Sequence, residues 1–322
     1  MMSKAVVISM ILMMLTTFTR SQDTWHGATM GSALLYNPAF AGAYGEGIGR
    51  LSYQNHYPGR NLDLHSLSLT YDTYIEGLHG GVGLFISEDY LGGIINELSG
   101  GLAYSYHLKL SPGLFLNAGL SASLCHRGIN AGKIILPDQI DALGGVSLPT
   151  SGLMDFRGRT VFDVSTGFIL SSRLFSLAFA VDHLARPDFT GDRIADGRLP
   201  RRIYGGLNGN FSLGEKESTF IKPVVLFESG GGNWLTGAGA VAEMQALSAN
   251  LIFATSASGD IDLNSGFSFK TGNFSVFYNY YFNLYSENKL LPVSLYHRAG
   301  VSFSLNNVDK RKIINAINFP KL

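Results

Sequence analysis

The chain is short of charge. Only 15% of its 322 residues are Asp, Glu, Lys or Arg, where a soluble domain carries about a quarter. Neither sign dominates, because 24 basic side chains meet 24 acidic ones. Nothing in that balance points to nucleic acid. One cysteine, Cys125, excludes a disulfide framework and any cysteine-based zinc site. It lies in a strand-like stretch and reads as a small packed residue. After the N-terminus no stretch reaches about 18 consecutive apolar residues, so no transmembrane helix is expected. The motifs H-x-x-E-H, H-E-x-x-H and G-x-S-x-G do not occur.

What the chain does have is glycine, 39 residues, and aromatics, 15 Tyr and 21 Phe. It also has a repeated period of two. From Leu114 to His126 one face carries Leu114, Leu116, Ala118, Leu120, Ala122 and Leu124. The other carries Phe115, Asn117, Gly119, Ser121, Ser123 and Cys125. A period of two is a β-strand with two unlike sides. A soluble sandwich puts Lys, Glu and Thr on its wet face. Here the second face is small and mildly polar, which fits a barrel with lipid outside and a polar lumen. The composition and the pattern predict an all-β fold: a transmembrane antiparallel β-barrel of about 14 strands in the outer membrane.

The N-terminus reads as a secretory signal over residues 1–21. Lys4 precedes an apolar stretch from Ala5 to Phe18, too short to span as a helix, and Thr19 and Ser21 supply a small-residue cleavage site. Residues 22–46 lack period two and predict a short helix and turns, a plug-like luminal or periplasmic segment. Strands are predicted near 47–55, 64–74, 80–88, 96–108, 114–126, 161–170, 174–183, 201–213, 218–228, 234–244, 248–256, 261–270, 273–283 and 297–305. The barrel domain is therefore 47–305, and 306–322 is a basic and apolar periplasmic tail. Alternate connections are short, such as Ile75–His79, Lys109–Gly113 and Thr271–Gly272. The longest, Arg127–Thr160, Leu184–Pro200 and Leu284–Tyr296, fall on the opposite side. That is the sorting of periplasmic turns from outer loops. Pro223 interrupts a predicted strand, and a bulge there would accommodate its missing donor.

Two sets of residues carry a resemblance. In the last strand, Arg298, Gly300, Phe303 and Leu305 fit polar-x-Gly-x-x-apolar-x-apolar and resemble the β-signals that barrel-assembly machinery reads. Near the mature start, Gln22 and Asp23 precede Leu35–Tyr36 and then Asn37, Pro38, Ala39, Phe40, Ala41 and Gly42. Pro38 fixes its own φ and drives Asn37 out of the helical region, so a turn is expected there. This Gln-Asp followed by N-P-A-F-A-G resembles the PorP/SprF family of Bacteroidetes outer-membrane proteins, with Trp25 and His26 a small departure. The loop Leu136–Asp141 and the hairpin rhythm resemble it as well.

The resemblance implies a non-catalytic component of the type IX secretion and gliding apparatus. Its implied partners are an exported surface protein such as a large adhesin, on the outer loops, and periplasmic secretion-system lipoproteins or ring components, beside outer-membrane lipid. No cofactor is implied. A bare N-P-A also occurs in barrels similar to fatty-acid transporters, so a channel for small or hydrophobic solutes is the alternative.

Candidate chemistry is thin. His183 stands beside Asp182 and near Asp188, while His56, His65 and His79 scatter at strand ends. No nucleophile, base and orienting group are recognisable together, and no enzyme is expected. Asp138, Asp141 and Asp155 share one outer loop, and Glu88 and Asp89 read as another; the spacing matches no EF-hand, and solvated loops explain them. Arg157, Arg159, Arg198, Arg201 and Arg202 make basic spots near the outer rim. They read as rim charges or as contacts for lipopolysaccharide phosphate. The aromatic run Phe274, Phe277, Tyr278, Tyr280, Tyr281 and Phe282 suits an interfacial girdle with some rings turned inward.

Overall fold

The computed structural model describes residues 33–59, 63–130, 139–141, 145–146, 158–189, 197–213, 219–286 and 293–305. Fourteen strands close into one antiparallel barrel: β1 (Ile48–His56), β2 (Leu64–Ile75), β3 (Gly80–Leu91), β4 (Ile95–Ser111), β5 (Leu114–Ile129), β6 (Arg159–Ser172), β7 (Phe175–Asp182), β8 (Arg202–Gly209, resuming over Phe211–Leu213), β9 (Thr219–Gly230), β10 (Asn233–Met244), β11 (Leu247–Ser256), β12 (Ile261–Thr271), β13 (Phe274–Tyr285) and β14 (Ser294–Ser304). Each strand pairs with the one before and after it, and β1 pairs with β14 to close the ring. A closed ring leaves no strand edge, which is what lets a sheet cross a membrane. No helix among the described residues is long and apolar enough to cross one.

The two faces behave as their residue types dictate. On β5, Leu120 and Leu124 are exposed while Asn117, Gly119 and Cys125 are buried. Leu102 on β4 is 69% exposed, and Phe162, Phe168, Phe253 and Phe267 also project outward. These side chains meet lipid. The buried set is largely polar, including Ser105, Asn117, Asn279 and Arg298, because the interior of the barrel is its polar side.

Several strands run further than the period-two pattern alone indicates. β3 extends to Leu91, so Glu88 and Asp89 belong to a strand rather than a loop. Asn96 Nδ2 donates to Glu88 Oε1 at 2.9 Å across the β3–β4 ladder, and that polar pairing prolongs the strands beyond the apolar band. Arg127 and Arg159 are the last register partners of the β5–β6 ladder, and Leu295 and Tyr296 belong to β14. Pro223 causes no bulge. The ladder runs Asn208↔Val224 and resumes Phe211↔Ile221 in unchanged register. It simply lapses at Asn210, whose N–H donates to Leu174 O at 2.8 Å on the other side. Of the aromatic run on β13, Phe277 and Tyr281 face inward, and Phe274 faces lipid.

Candidate functional site

A short helix, α1 (Ala33–Tyr36), and a single 3₁₀ turn (Pro38–Phe40) lie inside the barrel ahead of β1. Asn37 separates them in extended conformation (φ −149°), as a residue before proline must. Its Oδ1 accepts from Ala39 N at 2.9 Å and caps the turn. Its Nδ2 donates to Phe168 O and Phe179 O at 3.4 and 3.3 Å, which ties the turn to β6 and β7.

The wall beneath the segment is built of small residues. Gly81, Ser105, Gly119, Gly167 and Ala180 are successive register partners from β3 to β7, so they form one belt around the inner face. The segment crosses this belt and touches it at every second residue. A Cβ on Gly167 would overlap the Asn37 amide, one on Gly119 the backbone of Pro38 and Ala39, and one on Gly81 the Ala41 carbonyl. Backbone approaches this closely only where the wall has no side chain. Ala39, Ala41 and Ala43 are fully buried, and Phe40, Tyr44 and Ile48 cluster with Ile169 of the wall.

The carbonyls of Ala39 and Ala41 find donors on the wall. Ser105 Oγ and Asn117 Nδ2 donate to Ala39 O at 3.1 and 3.4 Å. His107 Nε2 donates to Ala41 O at 3.2 Å, which fixes the tautomer. Gly42, at φ +63°, turns the chain, and its N–H donates to Asp72 Oδ2 at 3.1 Å. The other Asp72 oxygen accepts from Arg50 Nη1 at 2.5 Å, and the Arg50 guanidinium stands 5.2 Å from the Tyr44 ring centre. A charged pair this buried holds only because both partners and their hydrogen bonds are present.

At its other end the segment reaches the barrel seam. Arg298, 2% exposed, donates from Nη2 to Tyr36 OH at 3.3 Å and from Nε to Gln54 Oε1 at 2.8 Å. Gln54 and Arg298 are register partners across β1 and β14. Tyr36 also packs edge-on against Tyr204, with ring centres 5.3 Å apart. Burial pushes the Tyr36 and Tyr44 phenols up to about 12, against the opposing pull of Arg298 and Arg50. Both stay neutral hydrogen-bonding groups at any physiological pH.

Opposite the seat, a cavity of about 200 Å³ opens at the short-turn end, lined in part by Tyr44, Arg50, Glu243, Ser268, Lys270 and Ser302. Asn37–Gly42 therefore lie together in the lumen, and Arg298 reaches the same segment from the last strand. Gly300 shares the inward side of β14 with Arg298, where Phe277 covers it; Phe303 and Leu305 face lipid. Gln22 and Asp23 lie outside the described residues, as do Asp138, Asp155, Arg157 and residues 306–322. The backbone of Asp188 forms an isolated β-bridge with Arg198. His183 instead meets Asp163, which sequence spacing did not bring to notice. The available signal was parity, since Asp163 falls on the inward face of β6.

The profile of the family described as "Type IX secretion system membrane protein PorP/SprF" matches residues 19–290. No curated protein matches the chain. Among solved structures, a TodX deltaS2S3 mutant monoaromatic hydrocarbon channel is similar at TM-score 0.51 and 12% identity, covering 88% of this chain and 95% of that one. A Pseudomonas aeruginosa FadL homologue gives TM-score 0.44 at 12% identity, covering 87% and 96%. The KdgM porin gives 0.39 at 11% identity, covering 80% and 99%. At 12% identity the likeness to the hydrocarbon channel is one of fold, a membrane-channel barrel.

Proposed function

The chain belongs to the PorP/SprF family of type IX secretion system membrane proteins, and from that membership we propose a specific role for this outer-membrane β-barrel. It is a non-catalytic component of the secretion and gliding machinery that binds a partner protein, such as a large adhesin, and helps to export it or anchor it at the surface. The observation that supports holding over conducting is the segment from Leu34 to Ile48, nearly all of it buried inside the barrel. Its backbone is bonded to the wall, as an open pore would not require.

In this reading the residues 127–160, 184–200 and 284–296 offer area to the exported partner. The short turns and the tail 306–322 offer contact to periplasmic lipoproteins or ring components. Gln22, Asp23 and Asn37–Gly42 form the plug segment. Arg298, Gly300, Phe303 and Leu305 form the assembly signal, with its apolar pair toward lipid. The test is a mild-detergent pull-down from the native outer membrane with mass spectrometry of what accompanies the barrel. A large exported protein or ring lipoproteins in stoichiometric amount support the scaffold, and a lone barrel overturns it. Truncation after Leu305 should leave insertion intact and release the periplasmic partners.

The 200 Å³ cavity favours one other reading, a channel for small or hydrophobic solutes. Planar-bilayer conductance separates the two. The scaffold predicts a closed wild type that conducts once residues 23–42 are deleted. A conducting wild type with no stable protein partner supports the channel.

A further inference from the structure

The long-loop end of the lumen holds a group of side chains that a scaffold role leaves unused. Asp163 on β6, Asp182 at the end of β7 and His183 beyond it each bring one ligand atom within 4.8 Å of the others. His183 Nδ1 lies 2.6 Å from Asp163 Oδ2, and both side chains are buried. The second Asp163 oxygen, Oδ1, is buried and accepts no hydrogen bond. Ser165 Oγ donates to Asp182 Oδ1.

The neighbouring cations are engaged. Arg202, the register partner of Asp182, donates to Tyr204 OH at 3.0 Å and lies 3.8 Å from Glu228. Arg127 donates twice to Glu97. Two carboxylates and an imidazole thus converge where one carboxylate oxygen is shut from water without a donor. Buried carboxylates are held by pairing or by a metal.

We infer that Asp163, Asp182 and His183 bind one divalent transition ion of the zinc class. The donor set fixes the class. One imidazole nitrogen with two carboxylates suits Zn²⁺ and its analogues, whereas Ca²⁺ and Mg²⁺ are held by oxygen. Ligand atoms about 2.0–2.2 Å from a tetrahedral ion stand roughly 3–4 Å apart. The observed ligand atoms, all within 4.8 Å of one another, reach that spacing by small side-chain rotations that include opening of the His183–Asp163 contact. His183 adopts the left-handed conformation, φ 55°, and begins the segment 184–200. The ion ties the start of that segment to β6 and β7. This site does not depend on the scaffold reading.

The test uses the mature barrel, purified without a polyhistidine tag, folded in detergent and stripped with a chelator. The probes are Co²⁺ and Zn²⁺. The expected result is one equivalent of Co²⁺ with visible d–d bands, displaced by Zn²⁺. Asp163→Asn and His183→Ala each weaken binding about 10–100-fold, the loss usual for a metal-site residue. His126→Ala, at an exposed position bonded to Thr160, leaves it unchanged. Heat-modifiable gel migration verifies that each variant is folded. A folded wild type that retains neither ion overturns the site, and so does binding that both variants leave intact. Binding of Ca²⁺ alone overturns the zinc-class assignment. Should a variant fail to fold, diethyl pyrocarbonate labelling of the wild type decides instead. Protection of His183 by Zn²⁺ supports the site, and full labelling in saturating Zn²⁺ overturns it.

Discussion

The barrel wall has two inner halves that share one exterior. From β3 to β7 the inward positions under the N-terminal segment are glycine, serine and alanine, and the segment's carbonyls are met by Ser105, His107 and Asn117. From β11 to β13 the inward positions include Asn250, Asn264 and Asn279, whose amide oxygens accept no hydrogen bond. Outward, both halves show the same Leu and Phe. The lipid face therefore follows one rule all round, while the lumen face differs with what it touches. Where the protein's own backbone is pressed on the wall, side chains are removed and the carbonyls of Ala39 and Ala41 have assigned donors, although Asn117 Oδ1 and His107 Nδ1 on that wall accept no hydrogen bond themselves. Elsewhere the inward side chains bond one another, as Asn264 Nδ2 does in donating to Tyr281 OH at 2.9 Å.

Paired substitutions break or sharpen that contrast. The largest effect is expected at Asp72. Asp72→Ala leaves Arg50 buried without its partner and frees the Gly42 N–H, at a cost of about 3–5 kcal/mol. On the other half, Glu243→Ala leaves the buried Lys222 without a partner that is itself partly exposed, and the loss should be smaller, about 1–3 kcal/mol. Urea unfolding of the two variants in detergent gives the comparison directly, and equal losses would dissolve the distinction between the halves.

Glycine comes next. An added methyl at Gly119 meets the backbone of Pro38 and Ala39, and one at Gly266 meets only the amide tips of Asn279 and Asn250. Gly119→Ala should cost about 1–3 kcal/mol by overpacking and open the segment 33–46 to protease. Gly266→Ala should leave digestion unchanged, because the amides swing aside. Asn37→Ala is expected to cost about 0.5–2 kcal/mol, the range for a lost cap, through its bonds to Ala39, Phe168 and Phe179. A Ser at the same position keeps the cap and should recover part of the loss in the same unfolding assay.

The effect that vanishes at neutral pH is on alkaline stability. The folded state keeps Tyr36 and Tyr44 protonated up to about 12, above the ordinary value of 10.0. Between those values the folded chain binds more protons than the unfolded one, so stability falls as pH rises from about 10 to 12. Below pH 10 these two groups contribute no slope. A Tyr36→Phe, Tyr44→Phe double variant should flatten the decline, measured as the melting midpoint against pH.

The lipid face was fully legible in the sequence, because alternation such as Leu120–Ser121–Ala122–Ser123–Leu124 records both neighbours of a strand at once. The lumen was legible only in part. Asn37-Pro38 announced a turn, and the turn is there. The belt could not be read, since Gly81, Gly119 and Gly167 become neighbours only through the registers of three ladders. Asp163 and His183 stand 20 residues apart and meet for the same reason. Pro223 misled in the other direction: its missing donor argued for a bulge, but a lapse in the ladder at Asn210 absorbs it without a change of register.

The contact of Arg298 with Tyr36 has a consequence for the order of assembly. Tyr36 precedes every strand, and Arg298 sits on the last one. This tie therefore exists only in a completed ring, whereas the bonds of Asn37 to β6 and β7 and the packing of Tyr36 on Tyr204 need no β14. A nascent barrel that lacks β14 has an open seam and a leading segment seated on one wall only. Closure adds the last fastening, and that fastening reports that the rest of the chain has arrived.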